Sequence, residues 1–194
     1  MEKRRFTKNN EGYSLIELII VIAVIAALTT AAFATMAIMK DAKTKEASST
    51  LEDELSALQS SAKDKMCIVS GVEQPDYSFA LMIYRNGGTY YAKKGYYVGG
   101  GADVTQAASY VFVAGENTNG DKGASFSSYV SVKYDKGTSG TSRDISSSDP
   151  VYIIYDRHGM CKTGDGTYTF YRKGSENVPT ATLVLNKNGS CTSK

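Results

Sequence analysis

Gly12-Tyr13-Ser14-Leu15-Ile16-Glu17 opens into an apolar run, Leu18 to Met39, that holds no charge, no proline and no glycine. At about 1.5 Å per residue, a helix over that run covers roughly 33 Å, enough to cross the hydrocarbon core of a bilayer. A basic leader with Lys3, Arg4, Arg5 and Lys8 precedes it, and Lys40-Asp41 follows. An excised signal peptide fits poorly: its cleavage site follows the apolar core, and no clean small-x-small site follows this run before Lys40. An ordinary signal anchor accounts for the leader, whose Lys and Arg stay in the cytoplasm. It does not account for Glu17. A carboxylate costs about 2.5–3.5 kcal/mol at the bilayer centre and less near the interface, so this one marks a functional residue that needs a partner.

The stretch from Gly12 to Val21 resembles the class III signal of type IV pilins and related pseudopilins, a likeness confined to about the first thirty residues. In that family a prepilin peptidase cuts after the glycine, on the cytoplasmic side, and the new N-terminal residue is N-methylated. The resemblance implies a leader over 1–12, a cut between Gly12 and Tyr13, methylation at Tyr13, and Glu17 in the place of the family's fifth-residue glutamate. Such a cut keeps the apolar helix in the mature chain, as membrane anchor and filament core. The α-amino cation of Tyr13 on one subunit would neutralise Glu17 of a neighbour inside an apolar bundle, offsetting the cost of burying either charge alone. Many type IV pilins carry proline, often after glycine, inside this helix. Here Ala26 and Ala34 stand in those places, and Thr29, Thr30 and Thr35 are the only weak helix formers, which counts against a locally melted segment.

The chain of 194 residues suits one membrane helix and one modest domain. Net charge is +2, and the leader holds all of it; the remainder balances at 18 basic against 18 acidic residues. A neutral mature chain argues against general affinity for nucleic acid, though not against a local basic patch. With 18 glycines, 14 tyrosines, 3 prolines and no tryptophan, the composition suits a β-rich, loop-rich extracellular domain.

No glycine or proline interrupts 40–66, and Ala47, Leu51, Leu55, Leu58, Ala62 and Met66 recur at helical spacing. The reading is one continuous helix from about Ser14 to about Met66, apolar all round in its first half (13–39) and amphipathic in its second (40–70), with Ser48-Ser49-Thr50 before Glu52 marking a potential bend. Ser70-Gly71 to Pro75-Asp76 is the exit from the helix, and 71–194 a β-rich head. Strands are expected at Tyr77–Tyr84, Thr89–Tyr91, Tyr96–Val98, Tyr110–Ala114, Tyr129–Tyr134, Val151–Tyr155, Thr167–Tyr171 and Thr182–Leu185. Turns fall at Arg85 to Gly88, Lys93-Lys94-Gly95, Asp156 to Gly159, Gly164 to Gly166 and Asn188-Gly189. The segment from Lys136 to Asp149 reads as a mobile surface loop, and no internal repeat is evident. A long helix followed by an antiparallel meander is an α+β arrangement, and the resemblance implies the same layout, the pilin fold.

Catalytic signals are weak. His158 is the only histidine and sits in a turn, and no nucleophile elbow, phosphate loop or His-Glu-x-x-His is present. No enzyme activity and no cofactor are expected. Cys67, Cys161 and Cys191 cannot all pair within one chain. The family's C-terminal disulfide loop implies Cys161–Cys191, worth about 3–4 kcal/mol for a loop of about thirty residues, which leaves Cys67 in the core. The alternative is a Cys₃His metal site of Cys67, His158, Cys161 and Cys191. Asn117 to Asp121 loosely resembles a calcium loop but lacks the terminal bidentate glutamate, so a solvated turn is the simpler reading. Between Tyr84 and Tyr97, five tyrosines alternate with Arg85, Lys93 and Lys94. That pattern suits single-stranded nucleic acid or, more simply, a hairpin packed on the helix.

The expected function is a structural subunit of a type IV pilus, supporting adhesion and motility. Its partners would be other copies of itself in a helical filament, the prepilin peptidase/methyltransferase and the pilus assembly platform. It would sit in the cytoplasmic membrane as a single-pass precursor, then on the bacterial surface in the pilus. The alternatives are a pseudopilin of a type II secretion or DNA-uptake system and a membrane-anchored binding module.

Overall fold

The computed structural model describes residues 14–63, 65–69, 71–98, 110–112, 123–137 and 142–193. It divides into two units, Met1–Met39 and Lys40–Lys194. The helix α1 runs without a break through Leu15–Ala62. Thr29, Thr30 and Thr35 do not interrupt it, and each hydroxyl donates back to a carbonyl one turn earlier: Thr29 to Ile25 at 3.0 Å, Thr30 to Ala26 at 3.2 Å and Thr35 to Ala31 at 3.0 Å. These bonds satisfy the hydroxyls within an apolar stretch that offers no other partner.

In the second unit, Thr44, Ala47, Ser48, Leu51, Leu55, Leu58 and Ala62 are the buried stripe of α1. The helix ends four residues before Met66, which is 44 % exposed and off the stripe. The exit region instead forms a hairpin, β1 (Cys67–Val69) with β2 (Val72–Gln74), closed at Gly71 with φ +80°. Ile68 and Val69 favour a strand, and Cys67 is buried there.

Two larger antiparallel sheets follow. The first contains β3 (Tyr77–Asn86), β4 (Thr89–Val98), β5 (Tyr110–Phe112), β6 (Ala124–Ser125), β9 (Val151–Tyr155) and β10 (Cys161–Thr163), in the order β10-β9-β3-β4-β5 with β6 also on β4. The second orders β13 (Cys191–Ser193), β12 (Pro179–Leu185), β11 (Gly166–Arg172), β7 (Val130–Asp135) and β8 (Arg143–Asp144). The expected meander is thus replaced by two sheets with crossovers: β3 pairs with β9, and β7 with β11. The stripe of α1 shares one core with Leu81, Ile83, Val151 and Ile153 of the first sheet and Val132, Phe170 and Leu183 of the second. The first sheet is apolar on its other face too, where Ala80, Tyr97, Tyr152 and Ile154 cluster. This is why all five residues of β9 are buried, as expected of a strand covered on both faces.

Two further expectations change. Lys93-Lys94-Gly95 does not break the chain, and β4 is one ten-residue strand. Gly95 pairs with both Ala80 and Phe112, and Lys94 reaches Glu54 of α1 at 2.7 Å, an ion pair about three-quarters buried. The segment before Asp149 is anchored where it is described: Arg143–Asp144 pairs with β7, and Ile145 is fully buried.

Candidate functional site

At the start of α1, Ser14 and Glu17 form half of a capping box. The Ser14 backbone N–H donates to Glu17 Oε2 at 2.9 Å, and the Leu18 N–H donates to the Ser14 carbonyl at 3.2 Å. Ser14 is thereby the N-cap, and Glu17, three residues on, satisfies a donor that a helix start leaves open. A carboxylate in the first turn also faces the positive end of the helix dipole. In the single chain Glu17 is therefore already engaged locally, a role for which the spacing Ser14-x-x-Glu17 is the sequence signal. Gly12 and Tyr13, the expected cleavage and methylation positions, lie outside the described residues.

Beyond the cap, large apolar side chains cover every side of α1 as far as Met39. Leu15 is 78 % exposed, Phe33 72 % and Ile38 70 %. The helix is long and apolar enough to cross a membrane. Water does not tolerate a surface of this kind, and it requires a bilayer or other apolar helices around it.

In the head, two hairpins repeat one pattern: Asp156-Arg157-His158-Gly159-Met160-Cys161 between β9 and β10, and Asn186-Lys187-Asn188-Gly189-Ser190-Cys191 between β12 and β13. In each, the first N–H donates to the fifth carbonyl, Asp156 to Met160 at 2.9 Å and Asn186 to Ser190 at 3.0 Å. In each, the glycine N–H donates back to the first carbonyl at 2.9 Å. Gly159 and Gly189 have φ of +74° and +82°, a region that favours glycine. The Cys161 N–H donates to the Lys187 carbonyl at 2.9 Å. Gln59 of α1 clasps both turns, its Nε2 donating to Gly159 O at 2.9 Å and Asn188 O at 3.3 Å. The likeness is one of turn geometry, since only the glycine and the cysteine are identical between the two stretches.

The shared turn sets Cys161 and Cys191 at equivalent positions on adjoining hairpins; burial raises the pKa of Tyr155 packed there, with smaller contributions from Cys191 and Cys161. All three cysteines are free thiols in this structure. Burial, with the Asp165 carboxylate, pushes Cys161 up to about 12; burial, with Glu52, pushes Cys191 to about 11. Burial raises Cys67 to about 11 against an opposing effect of Arg157. The Cys161 thiol donates to the Thr163 carbonyl at 2.9 Å. Among the described residues no three His, Cys, Asp or Glu side chains are gathered to hold a metal, so Cys67, His158, Cys161 and Cys191 are not assembled as a Cys₃His set in the single chain. His158 is an exposed turn residue whose N–H donates to Asp156 Oδ1 at 2.9 Å.

The tyrosine-rich hairpin is largely packing. Tyr90, Tyr96 and Tyr97 are buried, leaving the stacked pair Tyr84–Tyr91, at 5.4 Å, half-buried. The stretch Asn117 to Asp121 lies outside the described residues.

A long helix with a capped acidic start, on antiparallel sheets, defines an α+β protein of pilin layout. The family model described as the prokaryotic N-terminal methylation motif matches residues 7–33. No curated protein and no solved structure gives a significant match to the chain. The match makes the chain type IV pilin-like, with the N-terminal signal that precursors of the pilin and pseudopilin type carry. Its class III signal implies processing by a prepilin peptidase, and signal and apolar helix together support membrane anchoring of the precursor.

Proposed function

We propose that this chain is the structural subunit of a type IV pilus, cut after Gly12, methylated at Tyr13 and polymerised through α1, with no catalytic role of its own. The observation that carries the reading is the apolar half of α1, whose large side chains are exposed on all sides in the single chain. Before assembly the cytoplasmic membrane covers that surface, and afterwards neighbouring helices do. The N-terminal cation of one subunit then competes with the Ser14 N–H for Glu17 of the next, so docking exchanges a local cap for a buried ion pair. The head faces the medium on the pilus surface, where it supports adhesion and motility.

Within the head, the reading includes a covalent staple. Cys161 and Cys191 lose two protons and two electrons to an extracytoplasmic thiol oxidant and join as a disulfide between the twin hairpins, tying one sheet to the other. Their raised pKa values leave both thiols protonated and slow to exchange once folded, so the bond forms during export and folding.

Shearing the cells and measuring the intact mass of the released chain tests the whole reading. Abundant chains beginning at methylated Tyr13, with a mass about two units below the reduced value, are expected. Mature chains found only in the membrane would transfer the function to a pseudopilin, and an uncut Met1 start would overturn the reading.

A further inference from the structure

Beyond the helix lies a groove of about 730 Å³, within the size range of small-ligand sites. It opens at the C-terminal end of α1, between the start of β3 and the turn after β9. We infer that this groove binds an acidic saccharide, with the sugar's carboxylate on Arg157.

The lining has two chemistries in one place. Arg157, Lys65 and Lys162 supply cations, and Tyr77 and Phe79 supply a half-buried aromatic wall. That wall is held from behind by the buried ring of Tyr96, 5.3 Å from Phe79 and 6.5 Å from Tyr77. Arg157 spans the groove, its Nη2 donating to the Pro75 carbonyl at 2.5 Å. This fixes the guanidinium with one of its donors and leaves the planar fork that matches a carboxylate in two places.

Two carboxylates also line the groove. Asp156 is committed to its own turn, where Oδ1 accepts the N–H groups of His158 and Met160 at 2.9 Å each. Asp76 is exposed, and an acceptor beside Ser78 suits the hydroxyls of a sugar ring. Aromatic faces for the apolar side of a pyranose, a fixed fork for its acid group and acceptors for its hydroxyls together select a uronic-type sugar over a bare anion or a neutral glycan.

The test uses the full chain in detergent micelles and titration calorimetry with three probes. These are a tetrasaccharide of alternating glucuronate and N-acetylglucosamine, a neutral tetrasaccharide of N-acetylglucosamine, and inorganic phosphate. Saturable binding of the acidic tetrasaccharide is expected, with affinity falling about tenfold or more in Arg157→Ala and less in Arg157→Lys, which keeps the charge but loses the fork. Arg143→Ala, outside the groove, and Glu17→Ala should bind as the parent does, since the inference does not rest on polymerisation. Equal binding of the neutral tetrasaccharide or of phosphate, an unaffected Arg157→Ala, or no saturation by about 1 mM acidic probe would each overturn it.

Discussion

Replacing Gly189 with alanine loads the junction where the twin hairpins meet α1. Gly189 sits at φ +82°, and a side chain held in that region costs about 1–2 kcal/mol. The new Cβ would also run into the Gly159 carbonyl and Gln59 Nε2, and would lie 3.0 Å from Tyr155 Cε1. Backbone and a buried ring leave no easy retreat. Relief requires the second hairpin to lift from Gln59, which forfeits its bonds to Gly159 O and Asn188 O, about 0.5–1.5 kcal/mol each. The total is about 2–5 kcal/mol. Gly174→Ala is the matched control: its φ is +86°, yet nothing stands within 4 Å of the added Cβ, so only the backbone cost of about 1–2 kcal/mol applies. For a protein of this size, 1 kcal/mol shifts Tm by about 2–4 °C. Circular dichroism melts of the full chain in detergent micelles should therefore place Gly189→Ala roughly 4–20 °C below the parent and Gly174→Ala roughly 2–8 °C below, with the larger drop in Gly189→Ala. Equal shifts in the two variants would refute the claim that α1 and the two sheets are locked at this contact.

Glu17→Ala should give a processed subunit that assembles poorly, because an unpaired buried amine costs about 3–5 kcal/mol, two decades or more in the assembly equilibrium. Glu17→Gln separates the two roles of the side chain: it keeps a capping acceptor but not the charge, so filament yield restored to normal by Gln would assign Glu17 to capping alone. Substituting Gly12 by a bulky residue should block cleavage; an unchanged mature mass would remove the processing assignment. The thiols predict an alkaline response. Their folded pKa values lie above the ordinary 9.0, at about 11 for Cys67 and Cys191 and about 12 for Cys161. The folded state therefore binds more protons above pH 9, and stability is full below that value and falls as pH rises toward 11 and 12. Melts of reduced protein should show this loss, and protein isolated without reductant should lose less, since with Cys161 and Cys191 joined only Cys67 titrates among the thiols; identical pH profiles of the two samples would mean that the two cysteines do not pair.

Much of the molecule is written locally. An unbroken apolar run after a basic leader specifies a membrane-length helix, because hydrophobicity and backbone satisfaction are properties of the segment itself. The stripe Ala47, Leu51, Leu55, Leu58 and Ala62 was legible for the same reason, as were β9 and the core of β11. The sequence could not say where α1 stops: Met66 continues the helical spacing, but burial ends at Ala62 and the strand propensity of Ile68 and Val69 wins. Nor could it show that Lys93-Lys94-Gly95 stays in a strand, since Lys94 is held there by Glu54, distant in sequence. The division into two sheets, the clasp of Gln59 on both turns and the nearness of Cys161 to Cys191 depend on which strands pair across long separations. Strand pairing is a contest among non-local contacts, and only the folded core decides it.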